Sequence, residues 1–171
     1  LVQDLLEVEN IESGRLSLHL APLDLRALSG EIDEMFAPLA RERGVELYVE
    51  LPAIAQGPEA DHVRIVQVLS NLVTNALEFT GAGGRVGVTA TEHGDVVRFC
   101  VQDNGAGIAE ADLPHVFDRH WRGESSSRRS AGSGLGLTIV RGLVQAHGGE
   151  TWVHSAQGAG SSFYFTLPTA S

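Results

Sequence analysis

Residues 62–108 read HVRIVQVLSNLVTNALEFTGAGGRVGVTATEHGDVVRFCVQDNGAGI, and this stretch decides the fold. Asp61 stands before it as a helix N-cap. Val66, Leu69, Leu72, Val73, Ala76 and Leu77 then recur at helical spacing, which predicts a helix over roughly 62–79 with one buried face. The turn Gly81-Ala82-Gly83-Gly84 follows. Two strand-like runs at about 85–91 and 96–102 flank His93-Gly94-Asp95, which predicts a hairpin. The second strand runs directly into Asp103-Asn104-Gly105-Ala106-Gly107-Ile108, a glycine-rich turn at a sheet end.

Upstream, residues 1–13 have Leu1, Leu5, Val8 and Ile11 at helical spacing, closed by Gly14. Starting at Leu1 without Met, this segment is expected to continue a longer helix in a longer chain. Leu16, Leu18 and Leu20 alternate and predict a strand. Asp24 caps a helix whose apolar face is Leu28, Ile32, Met35, Phe36 and Leu39, and Val45 to Leu51 alternate as another strand. Downstream, a short helix is expected around 110–117. RGESSSRRSAGSG (122–134) reads as a mobile polar loop, so residues 123–132 are expected to be disordered without ligand. Leu135 to His147 is amphipathic, and strands are expected near 150–155 and 161–167. Tight turns between strands demand antiparallel pairs, so the pattern predicts an α+β fold with helices on one face of a mixed sheet.

Composition narrows the function. The 171 residues carry 12 Lys+Arg against 22 Asp+Glu, a formal charge of −10, which argues against a general nucleic-acid binder. Every basic residue is Arg. Without Lys, a Walker A phosphate loop, a protein kinase of the β3-lysine type and a Schiff-base enzyme are all excluded. Cys100 is alone, so no internal disulfide forms, and a reducing, cytoplasmic setting fits. No apolar run of 18 residues occurs that could cross a membrane as a helix.

Three segments carry chemistry. Asn71 and Asn75 are one helical turn apart, although Asn is a poor helix-interior residue. They are either two solvated amides or oxygen donors for a hard cation such as Mg²⁺. Asp103 could accept a hydrogen bond from an exocyclic amine, with Gly105 and Gly107 allowing a flat ligand close to the backbone; the plain alternative is an ordinary turn. Gly132-Ser133-Gly134-Leu135-Gly136-Leu137-Thr138 opens a helix, where free N–H groups favour an anion, or is simply a hinge. Arg119, Arg122, Arg128 and Arg129 lie beside it against Glu124 alone. Arginine there grips phosphate bidentately, unless the charges are merely a solvated loop.

Taken in order, these segments resemble the catalytic, ATP-binding domain of sensor histidine kinases, one branch of the Bergerat-fold ATPases. That group also holds type II topoisomerases, a class of heat-shock chaperones and mismatch-repair ATPases. NLVTNALEFT (71–80) resembles the family's N box, DNGAGI (103–108) its first glycine box, VFDRHWRG (116–123) its F box and GSGLGLTIV (132–140) its second glycine box. The resemblance covers about residues 15–168, with 169–171 as a tail. Residues 1–14 resemble the end of a dimerisation and phosphoacceptor helix with its linker.

The resemblance implies a two-layer α/β sandwich, with a mixed, mostly antiparallel sheet of about five strands against three helices. It implies that Asn75 binds Mg²⁺ bridging the phosphates of ATP, with Asn71 beside it. Asp103 would read the adenine amine, Gly105 and Gly107 would shape the pocket, and Phe79 and Ile108 would supply apolar contact. Gly132, Ser133, Gly134, Leu135, Gly136 and Leu137 would form the phosphate-facing lid hinge, and Arg119 and Arg122 would reach the γ-phosphate. Two positions depart from the family pattern. Glu78 stands where Lys or Arg is usual, and His120 where a second Phe is common. Hydrolysing members have Glu at the position of Asn71, and Asn is no general base, so phosphotransfer to a histidine is the implied reaction.

The family's acceptor is a His followed by Glu or Asp. None of His19, His62, His93, His115, His120, His147 and His154 is so followed, and His62 and His147 read as exposed helix residues. The acceptor is therefore expected upstream of residue 1. Implied partners are that phosphoacceptor domain, a response regulator receiver domain and a second copy of a homodimeric parent, which an inner membrane could anchor. The alternatives are a degenerate nucleotide-binding or partner-binding module, or a serine kinase or anti-sigma factor of the same fold.

Overall fold

The computed structural model describes residues 2–55, 57–121 and 134–169. The expectations placed on Arg122, Gly132 and Ser133, and on the loop 123–132, lie outside the described residues.

The chain begins with α1 (Val2–Glu12) and then forms β1 (Ala21–Pro22), α2 (Leu25–Glu42), β2 (Glu46–Glu50), β3 (Glu59–Ala60) and α3 (His62–Phe79). The hairpin β4 (Arg85–His93) and β5 (Val96–Asp103) follows, then a 3₁₀ turn (Leu113–His115), α4 (Gly136–Ala146), β6 (Thr151–Ala156) and β7 (Gly160–Pro168). The main sheet has the order β2-β4-β5-β7-β6. Only the β2–β4 pair is parallel, and the other neighbours are antiparallel. The fold is the expected mixed sheet with helices on one side.

Alternation along the strands sorts the two faces. Val86 and Val88 of β4, Val97, Phe99 and Val101 of β5, and Phe163, Phe165 and Leu167 of β7 point into the core. Phe99 and Phe165 face each other in register, their rings stacked 4.6 Å apart. Against them lie Leu28, Ile32 and Phe36 of α2, Ile65, Leu69, Leu72 and Val73 of α3, and Ile139, Val140 and Leu143 of α4. Asp24 and Asp61 both cap as expected, accepting from the Ala27 and Arg64 N–H groups. Val66 is only half-buried at the edge of the α3 stripe.

Four expectations fail for local reasons. Leu16 to Leu20 is not a strand, because no neighbouring backbone pairs with it. Only Ala21–Pro22 finds a partner, in Glu59–Ala60, and Leu20 stays 55% exposed. Met35 is 48% exposed, because the buried stripe of α2 runs through 28, 32, 36 and 40 and leaves position 35 outside it. The helix expected at 110–117 shrinks to one 3₁₀ turn holding Pro114, whose lack of an N–H suits the first turn but not a longer helix. His147 is not an exposed helix residue. It ends α4 half-buried, its Nδ1 is 2.7 Å from the Leu143 carbonyl, and its Nε2 accepts the Asp61 N–H at 3.0 Å. The end of α4 is thereby tied to the start of α3.

The helix α1 docks on α4. Val8 is fully buried, Ile11 packs over Gly142, and Glu7 pairs with Arg64 of α3. Val2 and Leu6 on its opposite side are exposed.

Candidate functional site

Three chain segments converge at one edge of the helix layer. The first is the outward face of α3, where Asn71, Asn75 and Phe79 are half-buried. The Asn71 Nδ2 donates to the Gly136 carbonyl at 3.2 Å, so α3 is bonded to the start of α4.

The second segment is the turn after β5. Asp103 is 5% exposed, and its Oδ1 accepts the Gly105 N–H at 2.9 Å. Burial pushes its carboxyl above the usual aspartate value, opposed by the Gly105 and Ser161 N–H groups. Gly105 lies so close to α3 that a Cβ would overlap the Phe79 carbonyl, and Ala106 N–H donates to that same carbonyl at 3.3 Å. Gly107 has φ +73°, and a Cβ there would overlap the Ala156 carbonyl. Ile108, half-buried, donates its N–H to Ser155 Oγ at 2.8 Å, and Ser155 Oγ lies 2.8 Å from Ser161 Oγ.

The third segment is the start of α4. Gly134 (φ +74°), Leu135 (buried), Gly136 and Leu137 lead into the helix. The N-cap residue Leu135 has no side chain that can cap, and the first turn of the helix holds no acid to offset its positive end. Thr138 Oγ1 donates to the Phe117 carbonyl at 3.0 Å, and His120 N–H donates to the Gly134 carbonyl at 3.0 Å. His120 sits at φ +60°, an uncommon conformation outside glycine, beside this junction.

The expected residues therefore fall into two groups. One group lies along α3: Asn71 bonds Gly136, the Phe79 carbonyl meets Gly105 and Ala106 of the Asp103 turn, Gly107 and Ile108 tie that turn to β6, and Asn75 shares the α3 face. Arg119 is instead exposed with its guanidinium 3.8 Å from Glu12 of α1. Sequence reasoning missed Ser155 and Ser161, which hold the turn from β6 and β7; only their β6–β7 register reveals this. Glu78, on the same α3 face, is half-buried, and burial raises its carboxyl above the usual glutamate value against the pull of Arg43.

Among the described residues no cluster of three His, Cys, Asp or Glu forms a cation cage. The donors here are carboxamides and a helix start, which suit a cation shared with phosphate oxygens better than one held by protein alone.

A two-layer sandwich with a carboxamide-bearing helix, a buried acid and a glycine-opened helix defines an ATPase domain of the histidine kinase type. The family model described as histidine kinase-, DNA gyrase B- and HSP90-like ATPase matches residues 60–171, and the chain belongs to that family. The adaptive-response sensory kinase SasA of Crocosphaera subtropica is 34% identical over 169 residues, covering 98% of this chain and 44% of the relative. The sensor histidine kinase WalK of Bacillus subtilis is 34% identical over 171 residues, covering 98% of this chain and 28% of the relative. Full-length ShkA in complex with AMPPNP superposes with a TM-score of 0.87 at 33% identity, over 99% of this chain and 35% of that one. The catalytic domain of histidine kinase ThkA gives a TM-score of 0.77 at 30% identity, over 88% of this chain and 96% of that one. The chain spans less than half the length of these two curated relatives.

Proposed function

We propose that residues 15–168 bind ATP with Mg²⁺ and present the γ-phosphate to a histidine on a dimerisation domain, as part of two-component signalling. Residues 1–14 are then the end of that domain's helix and its linker. The observation that carries this reading is that α3, which bears Asn71 and Asn75, is bonded directly both to the start of α4, through Asn71, and to the Asp103 turn, through the Phe79 carbonyl. Support also comes from the AMPPNP complex of ShkA and from relatives named as sensor kinases.

Each residue then has a task. The Asp103 carboxylate accepts a hydrogen bond from the adenine amine, a role its burial strengthens by excluding competing water. Phe79 and Ile108 cover the base. The N–H groups opening α4, with Gly132, Ser133 and Gly134 before them, receive phosphate oxygens. Asn75, with Asn71 beside it, offers an amide oxygen to Mg²⁺, whose role when bound is to neutralise the polyphosphate charge. Arg119 and Arg122 complete the charge balance at the γ-phosphate, Arg119 by exchanging Glu12 for it. A receiver domain takes the phosphoryl group onward, the parent is a homodimer in a cytoplasmic setting, and no nucleic acid is involved. No described helix is long and apolar enough to cross a membrane.

The test is nucleotide titration followed by phosphotransfer. Asn75→Ala and Asp103→Ala are expected to abolish ATP binding with the circular dichroism spectrum unchanged. The isolated chain should not label itself with γ-phosphate but should label a supplied phosphoacceptor domain. Normal ATP binding by either variant, or no transfer to any acceptor domain, refutes the reading.

A further inference from the structure

Glu78 lies three residues beyond Asn75 and seven beyond Asn71 on α3, and at 100° per residue it sits about 20° from Asn71 on the side away from Asn75, about 60° from Asn75, so all three share one helix face. All three are half-buried, whereas Thr74 on the flank is exposed. The face that offers carboxamides to a cation therefore also presents a full negative charge. Among the described residues Glu78 makes no direct ion pair; Arg43, at the end of α2, acts on it only through space. A carboxylate so placed repels an approaching polyphosphate, and half-burial weakens the screening by water. The same carboxylate attracts a divalent cation, and a cation between the two charges turns repulsion into attraction on both sides.

On the reading that this site takes ATP, we propose that Glu78 makes capture of the polyphosphate conditional on a divalent cation. Glu78 is thus a specificity-determining residue: it admits the metal–nucleotide complex and discriminates against the free tetra-anion. It need not touch the nucleotide, since a charge acts at a distance.

The experiment is calorimetric titration of the full chain with ATP and with adenosine, in Mg²⁺ and in EDTA, for the wild type, Glu78→Gln and Glu78→Arg. Near-ultraviolet circular dichroism checks that each variant is folded. In EDTA, Glu78→Gln should bind ATP about fivefold more tightly than the wild type and Glu78→Arg about tenfold or more, the gain shrinking as salt is raised. In Mg²⁺ the wild type and Glu78→Gln should agree within about twofold, and adenosine, which carries no phosphate, should bind all three equally. ATP affinity in EDTA unchanged by Glu78→Gln overturns the proposal, as does an equal change for adenosine, which marks a structural role. Should Glu78→Arg fail to fold, Glu78→Gln alone decides. A wild type that binds neither adenosine nor ATP refutes the function proposed above, and this inference with it. A wild type that binds both, with Glu78→Gln indifferent to the metal, refutes this inference alone.

Discussion

Replacing Asp103 by Asn separates recognition from stability, because the two should respond differently. The carboxylate is 5% exposed and is met by the Gly105 and Ser161 N–H groups. An Asn of the same shape has one oxygen, and the Gly105 N–H at 2.9 Å from Oδ1 claims it. The amide nitrogen then points a donor where the adenine amine also brings a donor. Losing a hydrogen bond to a charged group costs about 1.5–3 kcal/mol, so ATP affinity should fall roughly 10- to 150-fold. Stability should change little. Burial already raises this carboxyl, so the folded state bears a cost for its charge, and the neutral amide removes that cost while losing one N–H acceptor. The two effects offset to within about 1 kcal/mol, a shift of about 2–4 °C in a domain of this size. The same shift gives a pH dependence: acidification that protonates Asp103, in the range above 3.8, should weaken binding by the wild type but not by Asp103→Asn. Calorimetric titration and thermal unfolding on the same samples make the comparison. Asp103→Asn binding ATP within twofold of the wild type, or unfolding far below it, would refute the argument.

Gly107→Ala must place a Cβ against the Ala156 carbonyl at φ +73°, so it should lose at least about 1–2 kcal/mol of stability and most nucleotide affinity; denaturant unfolding and titration measure both. Asp61→Ala removes the acceptor of the His19 and Arg64 N–H groups and should cost about 1–3 kcal/mol near neutral pH. Burial pushes the Asp61 carboxyl up, but those two bonds and the charge of Arg64 outweigh it and hold it below 3.8. Its contribution is thus present above pH 3.8 and lost as pH falls through the lower folded value, so the gap between wild type and variant should close in acid. Gly142→Ala brings a Cβ to 2.6 Å from Ile11 Cγ2 and should loosen α1 from α4, seen as faster hydrogen exchange in residues 2–12, with ATP affinity within about twofold of the wild type.

How much of this was legible beforehand follows from the range of each interaction. The caps Asp24 and Asp61, the apolar stripe of α3 and the β4–β5 hairpin are set by residues a few positions apart, and the structure bears them out. Leu16 to Leu20 has the right alternation, but a strand also needs an edge to pair with, and none is available to it. The helical pattern around 110–117 gives way because Pro114 and the short length stop a full helix from nucleating. At the site, the i, i+4 spacing of Asn71 and Asn75 and the turn at Asp103 are local and readable. Ser155 bonding Ile108, and His147 bonding Asp61, join residues 47 and 86 positions apart, and no short window of sequence contains them. The pairing of Arg119 with Glu12 is of the same kind.

Most of the bonds that hold the site together use backbone groups or residues outside the ligand-facing set: Phe79 carbonyl to Ala106, and Ser155 to Ile108. Their strength is insensitive to which base or phosphate is offered. On the proposed function two side chains are exceptions, each holding the site and facing the ligand: Asp103, whose Oδ1 accepts the Gly105 N–H, and Asn71. The Asn71 nitrogen is committed to the Gly136 carbonyl, yet a carboxamide still has its oxygen to offer, and a hard cation takes oxygen. At position 71 neither Asp nor Glu can do both. A carboxylate there would have no proton for the Gly136 carbonyl and would set a negative charge against it, loosening the start of α4 where phosphate is to be received. On the proposed function, an amide at position 71 is thus the choice that fixes the helix opening and leaves an oxygen for a metal, at the cost of any general base for water.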